Sequence, residues 1–154
     1  MPLPIEYAIS TELNVMLARW WGDVEIGEYR ELFAAYLRDE NYQVGRPEIC
    51  DLSDVQELDA DFARIWSILT MVNAQTGGEP VKTTCVIYAP NETHYGLARM
   101  YQSLAENADG IQVAVFRDEA TAMAHLNLPG PSLKALRESH GFHPPTPNPD
   151  QDSP

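Results

Sequence analysis

The chain has 154 residues, 44% of them apolar, and a net charge of −13. This length suits one domain with its own core, and no apolar run approaches the ~18 residues that cross a bilayer. A surface with this much negative charge repels phosphate groups, so we do not expect the chain to bind nucleic acid. The segment from Met1 to Glu6 lacks the features of a secretory signal, so we expect a cytoplasmic protein.

The chain opens with two predicted strands that form a hairpin. Residues 4–9 alternate weakly, and residues 13–21 are a stronger strand candidate. The second strand is predicted to close at Trp20-Trp21-Gly22-Asp23, where Asp23 caps the following helix. Apolar residues on one face of that helix recur at helical spacing, and they are Ile26, Tyr29, Leu32, Phe33, Tyr36 and Leu37.

A central unit follows, predicted as a buried strand, a short acidic turn and a helix. The strand covers residues 48–52, and the helix begins at Asp59. Its predicted buried face consists of Phe62, Ile65, Trp66, Leu69 and Val72. Cys50 and Cys85 both sit in apolar strand-like runs, where we expect buried free thiols; a regulatory disulfide between them is the alternative.

The second half of the chain continues the alternation of strands and helices. Residues 82–89 and 111–116 are predicted strands, and a helix follows each. The order ββαβαβαβα predicts a single α/β domain with a mixed sheet of about five strands, the later ones parallel. We assign this domain to residues 1–127 and a proline-rich tail to residues 128–154, with one short helix before the chain becomes loosely held.

Short motifs in the central unit resemble a known family. Asp51-Leu52-Ser53, followed after five residues by Asp59 at a helix start, resembles the STAS domain of bacterial anti-sigma factor antagonists. The segments 96–101 and 115–120 resemble the small bacterial SpoIIAA-like group, described as STAS-like or as related to CRAL-TRIO lipid-binding domains. The resemblance covers residues 4–127. It implies a STAS-like α/β fold and a non-catalytic regulatory or ligand-binding role.

The chain departs from the STAS pattern at one position. In phosphorylated STAS switches a serine or threonine follows the aspartate at the helix start, but this chain has Ala60 there. The resemblance therefore implies a switch domain without its usual phosphoacceptor. Ser53 lies near the same edge; it is either a turn-capping residue or a substitute phosphorylation site.

Polar residues gather where the predicted parallel strands end. Ligands of open α/β sheets bind beyond these carboxyl ends, here the loops 51–61, 89–95 and 116–118. The same residue types also cap helices and turns, so both interpretations stay open. Arg99 is expected either to pair with a buried carboxylate such as Asp51 or to bind an anionic ligand head. The candidates for a ligand or partner rim are Asp51, Ser53, Asp54, Asn91, Glu92, His94, Tyr95, Arg99 and Arg117.

An enzyme is the alternative function. His94, Glu92 and Asp54 could act there as acid and base. The sequence contains no paired-cysteine or H-E-x-x-H metal motif, phosphate loop or nucleophile elbow, so we predict neither a metal nor a cofactor.

The aromatic residues suggest a second kind of site. Neighbouring Trp20 and Trp21 must face opposite sides if both belong to a strand. One interpretation is core packing; the other is an apolar pocket or a dimer surface. The expected partners are accordingly a small apolar ligand, a second copy of the chain or another protein. The candidate residues are Trp20, Trp21, Tyr29, Phe33, Tyr36 and Trp66.

Overall fold

The structure is a computed structural model that describes residues 3–76, 82–108, 110–139 and 141–147. Its strands are β1 Ile5–Ser10, β2 Val15–Glu25, β3 Glu48–Asp59, β4 Thr83–Tyr88, β5 Ile111–Phe116 and β6 Phe142–His143. Its helices are α1 Ile26–Leu37, α2 Phe62–Thr76, α3 Glu92–Ala105, α4 Glu119–His125 and α5 Leu133–Arg137. None of the described helices has both the length and the apolar character needed to span a membrane.

All six strands form one mixed sheet in the order β5-β4-β3-β2-β1-β6. Strands β2 to β5 are parallel, and β1 is antiparallel to both of its neighbours. The predicted α/β class and the ββαβαβαβα order are therefore confirmed. The sheet has one strand more than the five expected, because β6 returns from the proline-rich segment to pair with the end of β1.

The sheet separates two apolar layers because its side chains alternate between the faces. Helices α1, α2 and α3 cover the larger layer, which includes Trp20, Cys50 and Cys85. Helices α4 and α5 cover the smaller layer around Ile49 and Val86. Trp20 is buried in the larger layer, whereas half-buried Trp21 lies under the Arg19 guanidinium, 5.0 Å from the ring centroid. The prediction that the two tryptophans face opposite sides is confirmed.

The acidic stretch after Leu52 is strand, not the predicted turn. β3 continues to Asp59, and β2 continues beside it to Glu25, although β4 ends opposite Asp51. The result is a two-stranded β2–β3 ribbon, residues 21–25 and 54–59, that projects past the sheet. Its register shifts near Gly22, whose φ of +66° suits glycine at such an irregularity.

The longer strands also move the starts of two helices. The predicted cap Asp23 lies inside β2, and Glu25 caps α1 instead. Glu25 Oε1 accepts from the Gly27 amide at 2.9 Å, while Glu28 Oε1 accepts from the Glu25 amide at 2.8 Å, forming a capping box. Helix α2 begins at Phe62, three residues later than predicted, with Asp61 Oδ1 accepting from the Arg64 amide at 2.9 Å.

The segment after residue 127 is partly built into the domain. Leu133 and Leu136 of α5 are buried in the smaller apolar layer. Thr146, which we expected to be loosely held, donates its amide to Asp39 Oδ2 at 2.8 Å. The rest of the predicted tail, residues 148–154, lies outside the described residues.

Candidate functional site

Two aromatic side chains on the first turns of α2 face solvent. Phe62 is 58% exposed and Trp66 is 49% exposed. Their rings stack with centroids 6.3 Å apart and planes within 3° of parallel. We call these two residues the aromatic pair.

The prediction that both rings belong to the buried face of α2 is wrong. Ile65, Ile68 and Leu69 form that face, together with Val72. At about 100° per residue, Phe62 and Trp66 are turned about 60° and 100° from Ile65 in the same direction. The spacing in the sequence identifies the helix, but the sheet decides which side of it is buried.

Charged residues surround the start of the same helix. Arg64 Nη2 bonds Asp59 Oδ1 at 2.7 Å, and Arg64 Nε bonds Asp61 Oδ2 at 3.1 Å. Its Nη1 donates to Glu25 Oε1. The hydrogen bonds from Arg64 lower the pKa of Asp59. These four residues, the Arg64 cluster, join the ends of β2 and β3 to the first turn of α2.

A small apolar cavity lies between the sheet and helices α1 to α3. Its volume is about 50 Å³, and its wall includes Trp20, Tyr29, Tyr101, Ala60 and Leu97. An engineered apolar cavity of about 150 Å³ holds benzene, so this one is too small for such a ligand as it stands. Ala60 also faces this cavity. It does not follow an aspartate at a helix start, as predicted, because Asp59 ends β3 and α2 begins at Phe62.

Only some of the predicted pocket aromatics line that cavity. Trp20 and Tyr29 do so, and they stack on each other with ring centroids 5.1 Å apart. Phe33 and Tyr36 are buried elsewhere in the same core. Trp66 faces solvent, and Trp21 lies on the other side of the sheet.

Sequence reasoning missed a buried acid at the start of β3. Glu48 begins β3 opposite Cys85 and is 3% exposed. Burial raises the pKa of its carboxyl group to about 8. Cys50 and Cys85 are buried free cysteines, as expected, and the hydrogen bond between their side chains raises the pKa of the Cys85 thiol. A glutamate at the start of an apolar run is typical of a strand boundary, so its burial could not be predicted from the local sequence.

The expected rim divides between the two faces of the sheet. Asp51, 4% exposed, accepts through Oδ1 from the Ser53 amide at 3.0 Å and from the Ser53 hydroxyl at 2.6 Å. Its Oδ2 accepts from Arg137 Nη1 at 3.2 Å. Arg99, one expected partner of Asp51, is instead exposed on α3. Arg137 was missed because it follows Asp51 by 86 positions.

Several other rim residues have local structural partners. Asn91 caps α3 through the His94 amide at 3.1 Å, and Asp54 pairs with Arg19 at 3.1 Å. The Arg117 guanidinium lies over the Tyr95 ring, 4.4 Å from its centroid.

The three residues proposed for the enzyme alternative differ in their exposure to solvent. His94 is 3% exposed, whereas Glu92 and Asp54 are exposed and Asp54 is already paired. Within the described part of the chain, His94 Nδ1 has no hydrogen-bond partner. Nor do the described residues contain a group of three His, Cys, Asp or Glu side chains suited to hold a metal ion.

Comparison with known proteins supports the fold. No family model and no curated protein matches the chain. Among solved structures it is similar to an uncharacterised protein of the DUF3478 family, with a SpoIIAA-like fold, from Shewanella loihica PV-4. The match has a TM-score of 0.51 and 14% identity, and covers 82% of this chain and 96% of that one. The expected likeness is confirmed at the level of fold: this chain has a SpoIIAA-like α/β fold.

Proposed function

We propose that this chain is a non-catalytic regulatory domain that binds a protein partner through the aromatic pair. The observation that carries the proposal is the exposure of Phe62 and Trp66 on one helix. Large aromatic side chains are enriched at protein interfaces and often dominate their binding energy. Among the described residues, the exposed large apolar side chains are these two and Val44.

The position of the pair in the fold supports the same role. It follows Ala60, the residue that the sequence resemblance equates with the phosphoacceptor of STAS switches. The alanine side chain faces an apolar cavity and has no group to phosphorylate. Binding at this surface is therefore proposed to be independent of phosphorylation at that position.

The test compares proteins retained by matched variants in native cells. Phe62→Ser with Trp66→Ser removes the aromatic pair, and Val44→Ser removes an exposed apolar side chain elsewhere. We expect at least one protein, quantified by mass spectrometry, to be retained by the wild type and by the Val44 variant but lost from the double variant. Identical sets from all three proteins would contradict the proposal.

A second candidate function is binding of a small apolar ligand. The apolar cavity beside Trp20, Tyr29 and Tyr101 favours it. Because small-molecule pockets commonly measure about 300–1,000 Å³, the cavity would have to enlarge, and the partly exposed Leu58, Ala60 and Leu97 mark its solvent side. Native mass spectrometry of freshly purified protein tests this candidate. A single mass equal to that of the chain alone would count against it.

A further inference from the structure

We infer that the free edge of β5 takes up an extended segment of another protein as a further strand of the sheet. β5 lies at one end of the sheet and, among the described residues, pairs with β4 alone. An unpaired strand edge presents a row of backbone N–H and C=O groups that a second chain can bind. This surface is separate from the aromatic pair, so the inference goes beyond the proposed function.

Hydrogen bonds show which backbone groups of β5 face the free edge. On the β4 side, the Gly110 carbonyl accepts from the Thr83 amide at 3.0 Å, and the Phe116 carbonyl accepts from the Ala89 amide at 2.9 Å. Alternate residues of a strand direct their backbone groups to opposite edges. The residues whose backbone groups point away from β4 are therefore Ile111, Val113 and Val115.

A side chain of α3 marks the same edge. Gln102 Nε2 donates to the Val113 carbonyl oxygen at 3.0 Å, and this oxygen keeps a second lone pair. Within the part of the chain that the structure describes, the outward amides of Val113 and Val115 donate to no other group. The edge therefore offers backbone donors and an acceptor at the spacing of a strand.

The sequence of β5 lacks the features that commonly protect a strand edge. Its six residues, IQVAVF, include neither a charge nor a proline. At the other end of the sheet, β6 has two residues and is followed by Pro144 and Pro145. Short strands, charges and prolines discourage further pairing at an edge. β5 is therefore the edge that is more open to a further strand.

The helix over this edge favours a single extended segment over a second copy of the chain. Among the strands, α3 has its main contacts with β5. Packed helices need about 8–10 Å between their axes, whereas paired strands lie about 4.8 Å apart. Two copies joined through β5 would bring their α3 helices too close together. An extended segment with no helix packed on it avoids this conflict.

Two charged residues of α3 define the chemistry of the segment. Arg99 and Glu106 are exposed and lie within about 60° of Gln102 around the helix. Neither of them forms an ion pair with another described residue. Because α3 connects two parallel strands, it runs opposite to them, and Arg99 lies toward the end of β5 and Glu106 toward its start. The segment that fits has an acidic residue near Arg99, a basic residue near Glu106 and uncharged residues between them.

The inference is testable with defined peptides and the full chain. The probe is a fluorescent peptide of alternating valine and threonine, with glutamate at one end and lysine at the other. Two control peptides carry N-methyl groups on one or the other alternate set of amides, because only one set can face β5. Fluorescence anisotropy measures binding, and amide hydrogen exchange measured by NMR reports on β5 itself.

We expect the Val113 and Val115 amides of the free chain to exchange at least about a hundredfold faster than the Ala114 amide, which faces β4. Saturating peptide should slow the two outward amides by about tenfold or more. N-methylation of one set of peptide amides should weaken binding by about tenfold or more, and that of the other set by less than about threefold.

A charge reversal beside the edge should also weaken binding. Arg99→Glu removes the expected partner of the peptide glutamate, so we expect a loss of about threefold to tenfold. The matched control is Lys134→Glu, at an exposed position of α5 on the other face of the sheet, which should change binding by less than about twofold. Circular dichroism of both variants checks that the fold is kept.

Other results would overturn the inference. Slow exchange of the Val113 and Val115 amides in the free chain would show that the edge is already paired. Exchange that stays unchanged at the highest soluble peptide concentration would contradict β5 as a docking edge. Equal losses from the two N-methylated peptides would show binding without strand pairing. Equal effects of Arg99→Glu and Lys134→Glu would contradict the charges assigned to the segment.

Discussion

The Asp51 carboxylate and the Arg137 guanidinium meet at 3.2 Å, although 86 positions separate them in the chain. Asp51 lies on the same face of the sheet as Ile49, the face that α4 and α5 cover. The Asp51 side chain is 5% exposed, and that of Arg137 is 21% exposed. The pair therefore fixes the last helix of the domain to its central strand.

Removing the arginine should destabilise the domain. Arg137→Ala leaves a buried carboxylate with only Ser53 as its described partner, so we expect a loss of about 2–3 kcal/mol in the free energy of unfolding. Urea denaturation followed by circular dichroism measures it. Arg99→Ala, at an exposed site, should change stability by less than about 0.5 kcal/mol. Equal effects of the two substitutions would contradict a structural role for the Asp51–Arg137 pair.

The buried acid should make stability depend on pH. The pKa of Glu48 is about 8 in the folded chain against 4.5 for the ordinary group. Between these values the folded state keeps a proton that the unfolded chain releases, so the Glu48 contribution to stability falls as pH rises through this window. Glu48→Gln removes that contribution. It should match the wild type near pH 5 and exceed it by about 2–4 kcal/mol near pH 8.

Urea denaturation at several pH values checks this prediction. The matched control is Glu57→Gln, an exposed carboxyl on the same strand, which should leave the pH profile unchanged. A Glu48→Gln profile parallel to that of the wild type would mean that the native carboxyl group is already ionised in this window.

Filling the apolar cavity should stabilise the free protein. Ala98 lines the cavity and is 6% exposed. Ala98→Val buries two more carbon atoms, and each should add about 0.8 kcal/mol to the free energy of unfolding. The lower helix propensity of valine costs about 0.5 kcal/mol. We therefore expect the free energy of unfolding to rise by about 1 kcal/mol in total. Ala124→Val, on the exposed side of α4, should show only the helix cost. Thermal denaturation compares the two; a loss larger than the control's would show that the cavity is not empty space.

The two thiols should react only when the chain unfolds. Cys50 and Cys85 are 2% and 1% exposed, and their mutual hydrogen bond together with burial raises the pKa of Cys85. Because the thiolate is the reactive form, a small disulfide reagent should modify them at the rate of unfolding. An Ala124→Cys variant supplies an exposed thiol that should react at once. Rapid modification of all three thiols in that variant would contradict burial of the native pair.

The sequence predicts the alternation of strands and helices because burial follows from local periodicity. It fails where distant pairing decides the structure. Asp54, Glu57 and Asp59 have low strand propensity and suggest a turn, yet β2 holds them in a ribbon. The proline-rich composition of the tail likewise predicted no strand there. β6 forms because it pairs with β1, more than a hundred positions earlier in the chain.

The candidate site was predicted less well than the fold for the same physical reason. Spacing identified α2 but not its rotation, so Phe62 and Trp66 were expected in the core. The sequence also does not show which arginine pairs with a buried carboxylate. We expected Arg99 as a partner of Asp51, but the structure has Arg137 there. Contacts between remote segments settle both questions.

Photo-crosslinking in native cells tests the central claim most directly. A photoreactive phenylalanine analogue replaces Trp66 in one variant and Val44 in another, since both positions are exposed and apolar. We expect one defined protein to be crosslinked from position 66 and no such product from position 44. The same products from both positions, or a crosslink from position 66 only to a second copy of this chain, would contradict it.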